Sequence, residues 1–263
     1  MIDLHCHYLP GIDDGAATLE EALALARAAV DDGIHTAVMT PHVHPGRYEN
    51  NASSIRKLCR AFQQVLLHKE IPLEIRVGGE VRISEDILSM IEQDEIPFLG
   101  EIEGYRIVLL EFPHSHLIVG ADKLVERLLA RRVRPLIAHP ERNKEVMRNP
   151  DKMRPYVDEG CLLQLTGGSL IGAFGKPVQQ CATQLIERGW VSVVATDAHN
   201  LAHRPPNLHL AYGALVQLGG ESFARQLTEH TPAKIIAGNA FTTVLPAGRS
   251  NELGRARLEP RSL

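Results

Sequence analysis

Runs of β-forming apolar residues in this chain end repeatedly on a histidine or an acid. Asp3-Leu4-His5-Cys6-His7, Thr40-Pro41-His42 and Thr196-Asp197-Ala198-His199 are three such endings. Gly78-Gly79-Glu80, Leu109-Leu110-Glu111-Phe112 and Ile137-Ala138-His139-Pro140 are three more. A fold that uses this pattern must gather the ends of several strands at one place. Parallel strands in a barrel do so, because functional groups collect at their C-terminal ends, where the βα loops converge. Side chains two apart on a strand share a face, so His5 with His7, and Asp197 with His199, can each reach one cation.

Periodicity and punctuation predict alternating elements. The expected strands are Ile2–His5, Thr36–Thr40, Leu73–Gly78, Tyr105–Leu110, Pro135–Ala138, Leu162–Leu165 and Val191–Ala195. Thr18-Leu19-Glu20-Glu21 reads as a capping box opening a helix that Gly33 stops, with Leu19, Leu23, Ala26 and Val30 on one face. Further helices are expected at Ser53–His68, Ser84–Gln93, Ala121–Arg131, Pro150–Glu159, Pro177–Arg188, Pro206–Leu218, Glu221–Glu229 and Pro232–Ala237. Strands and helices taking turns imply an α/β chain with a mostly parallel sheet or barrel. One domain over residues 1–245 is expected, with residues 246–263 as a mobile tail of punctuating residues.

Composition serves mainly to exclude. A formal net charge of -4 over 263 residues gives no general attraction to nucleic acid or an anionic membrane. No apolar run approaches the roughly 20 residues of a membrane span, and a first strand at Ile2 leaves no room for a signal peptide, so the expected location is the cytoplasm. Cys6, Cys59, Cys161 and Cys181 lack paired spacing and read as reduced and mostly buried. Strand alternation turns Cys6 away from His5 and His7. No cysteine has an arginine six positions on.

Taken singly, each candidate has a plainer reading. Glu80 follows two glycines, which suit either a close backbone approach or an ordinary turn. Glu111 ends an apolar strand, where a buried charge needs a partner; a cation would serve, and so would Arg142. Asp14 belongs to Asp13-Asp14-Gly15, which is also an Asx-turn sequence. His139 precedes Pro140-Glu141-Arg142-Asn143, pairing an imidazole with an arginine suited to phosphate. His35, His68, His209 and His230 read as surface or core residues, whereas His114, His116 and His203 fall on the expected rim.

In order and spacing, the motifs D-L-H-C-H, G-I-D-D-G, T-P-H, G-G-E, L-L-E-F, I-A-H-P-E-R-N and T-D-A-H-N resemble the polymerase-and-histidinol-phosphatase superfamily of metal-dependent phosphoesterases. More narrowly they resemble the bacterial protein-tyrosine phosphatases encoded with capsule and exopolysaccharide genes. Thr166-Gly167-Gly168-Ser169-Leu170 and Arg204 also match that narrower group.

The resemblance implies a distorted (β/α)7 barrel holding three divalent metals, manganese or iron, with zinc able to substitute. His5, His7, Glu80 and Asp197 would bind the first, Glu80, Glu111 and His139 the second, and Asp14, His42 and His199 the third. Arg142 and Arg204 match the phosphate-binding arginines. His44 has no assigned role. The activity implied is hydrolysis of phosphotyrosine, by metal-activated hydroxide, on the tail of a cognate tyrosine kinase in polysaccharide export. Two other readings keep the same ligands: a small-molecule phosphatase, for example of histidinol phosphate, and a regulatory metal-binding module without catalysis.

Overall fold

The computed structural model describes residues 1–237. The expected boundary at Leu245 and the tail at 246–263 lie outside the described residues. Ten strands are described: β1 (Ile2–Cys6), β2 (Thr36–Met39), β3 (His42–Val43), β4 (Glu74–Val77), β5 (Glu80–Arg82), β6 (Gly100–Ile102), β7 (Tyr105–Glu111), β8 (Val133–Ala138), β9 (Leu162–Thr166) and β10 (Val191–Ala195). One parallel sheet runs β1-β2-β4. A second runs β10-β9-β8-β7-β5-β3, also parallel, with β6 antiparallel on β7.

Two expected strands are each followed, after a short break, by a further strand that was not expected. Thr36–Thr40 is seen as β2, with β3 resuming after Thr40-Pro41, and Leu73–Gly78 is seen as β4, with β5 resuming after Gly78-Gly79. Pro41 has no N–H to donate, so a ladder cannot run through it unbroken. Gly79 yields for a different reason: a Cβ there would lie 2.3 Å from Pro97 Cγ. The backbone still bridges both breaks, with Gly78 N donating to Met39 O at 3.0 Å and Glu80 N to Pro41 O at 3.1 Å. At the far side, Asp197 N donates to His5 O at 2.7 Å and His7 N to Ala198 O at 2.9 Å. The end of β1 is thereby tied to the residues following β10.

Helices cover the strands through a large apolar cluster that includes Leu25, Phe62, Ile75 and Leu185. A smaller cluster joins Leu4, Val38, Leu109, Leu136 and Val193 to Ile235 and Ile236 of the helix Thr231–Ala237. Thr18 accepts from Glu21 N as expected, but Glu21 Oε2 accepts from Ala17 N, one residue outside the predicted box. The buried face of this helix is Ala22, Leu23, Leu25, Ala26 and Ala29, and Leu19 faces solvent.

Other boundaries move as well. The helix expected at 84–93 is Ile87–Glu92, and 150–159 divides into a 3-10 turn and Arg154–Asp158. The stretch 221–229 gives Glu221–Arg225 and then a π turn. The hairpin β6–β7 turns at Glu103-Gly104, both with positive φ, a pair of left-handed residues that matches strand twist. No described helix is long and apolar enough to cross a membrane.

Candidate metal centre

Each strand end delivers its side chain by a different local device. His5 is the penultimate residue of β1, with His7 just beyond it. His139 follows β8 and Asp197 closely follows β10, and both adopt left-handed backbone, with φ of 32° and 52°. Such conformations are strained for residues other than glycine and persist only where surrounding structure holds them. Gly15 serves the site by its lack of a side chain, since a Cβ there would lie 2.1 Å from His7 O. That close approach lets the Asp13-Asp14-Gly15 loop lie against β1.

The side chains converge tightly. His5 Nε2 lies 3.2 Å from His7 Nε2, 3.4 Å from Glu80 Oε2 and 3.2 Å from Asp197 Oδ1. His7 Nε2 is 3.5 Å from each of the same two oxygens. Glu80 also reaches His139 Nε2 at 2.8 Å and His42 Nδ1 at 3.0 Å. Asp14 Oδ1 faces His42 Nε2 at 3.1 Å and His199 Nε2 at 3.6 Å. Glu111 Oε2 lies 3.9 Å from His42 Nδ1. His5, His7, Glu80, Glu111, His139, Asp197 and His199 are all buried.

Proton placement shows what this set requires. His7 Nδ1 lies 2.7 Å from Asp13 Oδ2, and an ionised carboxylate can only accept, so Nδ1 carries the hydrogen and Nε2 presents a lone pair when the ring is neutral. His5 Nδ1 likewise faces Gln164 Oε1 at 2.9 Å. Two imidazole lone pairs therefore meet two carboxylate oxygens. Glu80 Oε2, Asp197 Oδ1 and His199 Nε2 are buried without a hydrogen-bond partner among the described residues. The acids draw positive charge to this point. His5 and His7 are both pushed upward: burial opposes the shift, but Asp197 and Glu80 together outweigh it at His5, and Asp13 with Asp197 and Glu80 at His7. Two N–H protons cannot share a 3.2 Å gap, whereas one cation can coordinate both nitrogens. The residues therefore fit a divalent metal, with outer partners that orient the ligands.

Charge is apportioned unevenly around the centre. Burial acts against the ionised forms of Glu80 and Asp197, yet His5 and other cations hold both well below the usual carboxylate range. His139 falls to about 4 through burial and the neighbouring Arg142, and His199 falls to about 4 through burial and His7. His42 rises to about 10, because Glu80 and Asp14 overcome its burial. Glu111 is raised by burial and by Glu80.

Four groups have ligand atoms close enough to hold an ion: His7-Asp14-His42-His199, His5-His7-Glu80, His5-His139-Asp197 and His42-Glu80-Glu111. All nine expected ligands thus lie together. His139 groups with His5 and Asp197 rather than with Glu111, and His7 joins both His5 and the Asp14 set. Arg142 Nη1 and Arg204 Nη2 both donate to Asp197 Oδ2 in short hydrogen bonds. Arg204 Nε is buried and unpartnered among the described residues. Arg142 is further braced by His114 Nε2 at 3.3 Å and lies over the Phe174 ring at 4.8 Å.

Glu111 does have an arginine partner, and it is Arg82 at 3.0 Å, not Arg142. The two residues sit side by side in the β5–β7 register. Cys6 turns away as expected, its Sγ directed to Val38 O at 3.3 Å. Sequence reasoning passed over Asp13, Gln164, Arg82 and Glu141. Gln164 carried a signal, as a polar residue in an otherwise apolar strand. Glu141 is buried, pushed up to about 7 by that burial, and accepts from Thr166 N and Ser169 Oγ, pinning the His139 loop to the Thr166–Leu170 turn. His42, Glu80, Glu111, His139, Arg142 and Arg204 line an open cleft of about 140 Å³, with His44, Arg47 and Tyr48 on its wall.

The family described as "Capsular polysaccharide synthesis, CpsB/CapC" matches residues 1–237, which include every one of these ligands. The chain belongs to the CpsB/CapC family. Within that family it is 35% identical over 230 residues to the tyrosine-protein phosphatase YwqE of Bacillus subtilis (strain 168), covering 88% of this chain and 89% of that protein. It is 30% identical over 241 residues to the tyrosine-protein phosphatase CpsB of Streptococcus pneumoniae, covering 90% and 98%. Crystal structures of YwqE and CpsB from these two species, described as unique metal-dependent tyrosine phosphatases, include one matching this CpsB/CapC chain with a TM-score of 0.84. That match has 33% identity and covers 95% of this chain and 100% of the other. A β-aspartyl dipeptidase from Fervidobacterium islandicum AW-1 shares the fold alone, with a TM-score of 0.54, 12% identity and coverage of 89% and 72%.

Proposed function

We propose that this chain is a metal-dependent protein-tyrosine phosphatase acting on a cognate bacterial tyrosine kinase that governs capsular or exopolysaccharide synthesis. The observation that carries the proposal is the meeting of His5 and His7 lone pairs with the unpartnered oxygens of Glu80 and Asp197, with two arginines directly behind. Relatives named as tyrosine phosphatases match over most of this chain and most of their own length. The scaffold is read as a distorted (β/α)7 barrel, a reading supported by the bonds between the end of β1 and the residues after β10.

We propose that His5, His7, Asp14, His42, Glu80, Glu111, His139, Asp197 and His199 would hold three divalent cations, manganese or iron, with the division that the family resemblance implies. Mixed imidazole and carboxylate donors without thiolate suit such ions. Bound there, divalent cations would supply Lewis acidity and activation of water near neutral pH. The protein's own groups do the rest. Glu80 and Asp197, held ionised, provide negative charge for cation binding. Arg142 and Arg204 present planar donors to phosphoryl oxygens, and the buried Nε of Arg204 is a ready donor. Asp197 fixes both guanidinium groups beside the ligands. A phenolate leaves with a pKa of about 10, so tyrosine esters make little demand on a dedicated acid. The cytoplasm is the proposed location, with the phosphotyrosine tail of the kinase as partner.

The test is hydrolysis of a phosphotyrosyl peptide and of histidinol phosphate by metal-stripped protein resupplied with manganese, beside the His139→Ala variant. The expected result is metal-dependent turnover of the peptide that the variant lacks. Preference for histidinol phosphate would move the function into small-molecule metabolism, and turnover of neither would restore the binding-module reading.

A further inference from the structure

The cleft is lined by four arginines together with the candidate ligand acids Asp14, Glu80 and Glu111. Arg142 and Arg204 are each held by Asp197. Of the other arginines lining the cleft, Arg82 is committed to Glu111. Arg47 is not committed in this way: among the described residues no carboxylate lies within ion-pair reach of it, and it is exposed. Its guanidinium sits 5.0 Å over the ring of Tyr48, which stacks on His42 at 5.3 Å with an interplanar angle of 11°.

The arm carrying this stack is braced. His44 N donates to Tyr48 O at 3.1 Å and Tyr48 N to His44 O at 2.8 Å. Glu49, a nearby acid in the same loop, accepts from Gly46 N at 2.6 Å and so is directed at the backbone. A small phosphomonoester carries one anionic group and needs only Arg142 and Arg204. An unpaired guanidinium held at the mouth of the same cleft suits a second anion on the same substrate.

We infer that Arg47 is a specificity residue that pairs with a carboxylate side chain flanking the phosphotyrosine, so that the favoured substrates are acidic phosphotyrosyl peptides. The inference rests on the phosphotyrosine reading above. Tyr48 is the positioning residue, because its ring holds the guanidinium at the cleft mouth while packing on His42.

The experiment is steady-state hydrolysis of three phosphotyrosyl peptides that differ only in bearing Asp, Ala or Lys beside the phosphotyrosine. It is run at low and high salt with the manganese-loaded native chain, Arg47→Glu, Tyr48→Leu and Tyr48→Phe. For the native chain kcat/KM should fall in the order Asp, Ala, Lys, with about fivefold between the first two, the upper end for an exposed ion pair. The difference should lie in KM and shrink with salt, since exposed charges are screened. Arg47→Glu should reverse the order. Tyr48→Leu should narrow the ratio with Arg47 intact, and Tyr48→Phe should restore it. Equal kcat/KM for the three peptides in the native chain, or an Asp preference that survives Arg47→Glu, overturns the inference while leaving the phosphotyrosine reading in place. Turnover of an aryl phosphate without turnover of any peptide overturns both.

Discussion

The ends of β1 and β10 present the same pattern, two potential ligands separated by one residue, yet the protein supports them in opposite ways. His5 and His7 are backed by acceptors: Gln164 Oε1 and Asp13 Oδ2 hold the Nδ1 hydrogens and leave Nε2 facing inward. Asp197 is backed by donors, with both Arg142 and Arg204 on Oδ2 and Oδ1 left to face the histidines. The backbone differs too, because Asp197 is left-handed. Identical spacing thus carries two electrostatic designs, one that sets imidazole tautomers and one that ties a carboxylate to two arginines. Asp197 therefore belongs to a candidate metal set and to the arginine pair together.

The comparison predicts a graded series. Asp197→Asn should have the largest effect, lowering turnover by about a thousandfold or more as a ligand charge vanishes and two guanidinium groups lose their carboxylate. Bound metal, measured by elemental mass spectrometry, should fall with it. Retained metal together with normal kinetics would dissolve the distinction between the two strand ends. Arg142→Ala should leave metal content at the native level while lowering kcat by about a hundredfold, the scale for losing one donor to a developing charge. Normal kinetics in this variant would mean that phosphate binds elsewhere.

On the acceptor side, Asp13→Ala should weaken metal binding or activity by about tenfold to a hundredfold, the range for loss of a partner that orients a metal-bound histidine. Titration of the stripped protein with manganese would read it directly. Gln164→Leu should act in the same direction but more weakly, by roughly tenfold, because a neutral acceptor polarises an imidazole less than a carboxylate. If Gln164→Leu proved worse than Asp13→Ala, charge would not be what distinguishes the two partners.

Legibility in the sequence followed the range of the interaction. His5 and His7, or Asp197 and His199, declare themselves through spacing within one segment, because strand geometry repeats every two residues. Glu111 declared only that it needed a positive partner; whether Arg82 or Arg142 supplied it depended on β5 and β7 lying side by side. Asp13 and Asp14 are adjacent and chemically identical, yet one orients His7 and the other faces His42 and His199. The interruptions between β2 and β3 and between β4 and β5 had partial signals in Pro41 and in Gly78-Gly79. Their role in passing pairing from one sheet to the other had none.

By itself, then, the sequence determined the alternation of strands and helices, the candidate ligands at the strand ends and the buried, unpaired reading of the cysteines. These are consequences of local periodicity and residue chemistry. Tertiary structure alone decided which carboxylate oxygens have no partner among the described residues, which arginine neutralised which acid, and how Arg47, without an ion-pair partner among those residues, came to line the cleft. Those outcomes depend on contacts between residues far apart in the chain, and electrostatic pairing is settled by distances of a few ångströms that no single segment encodes.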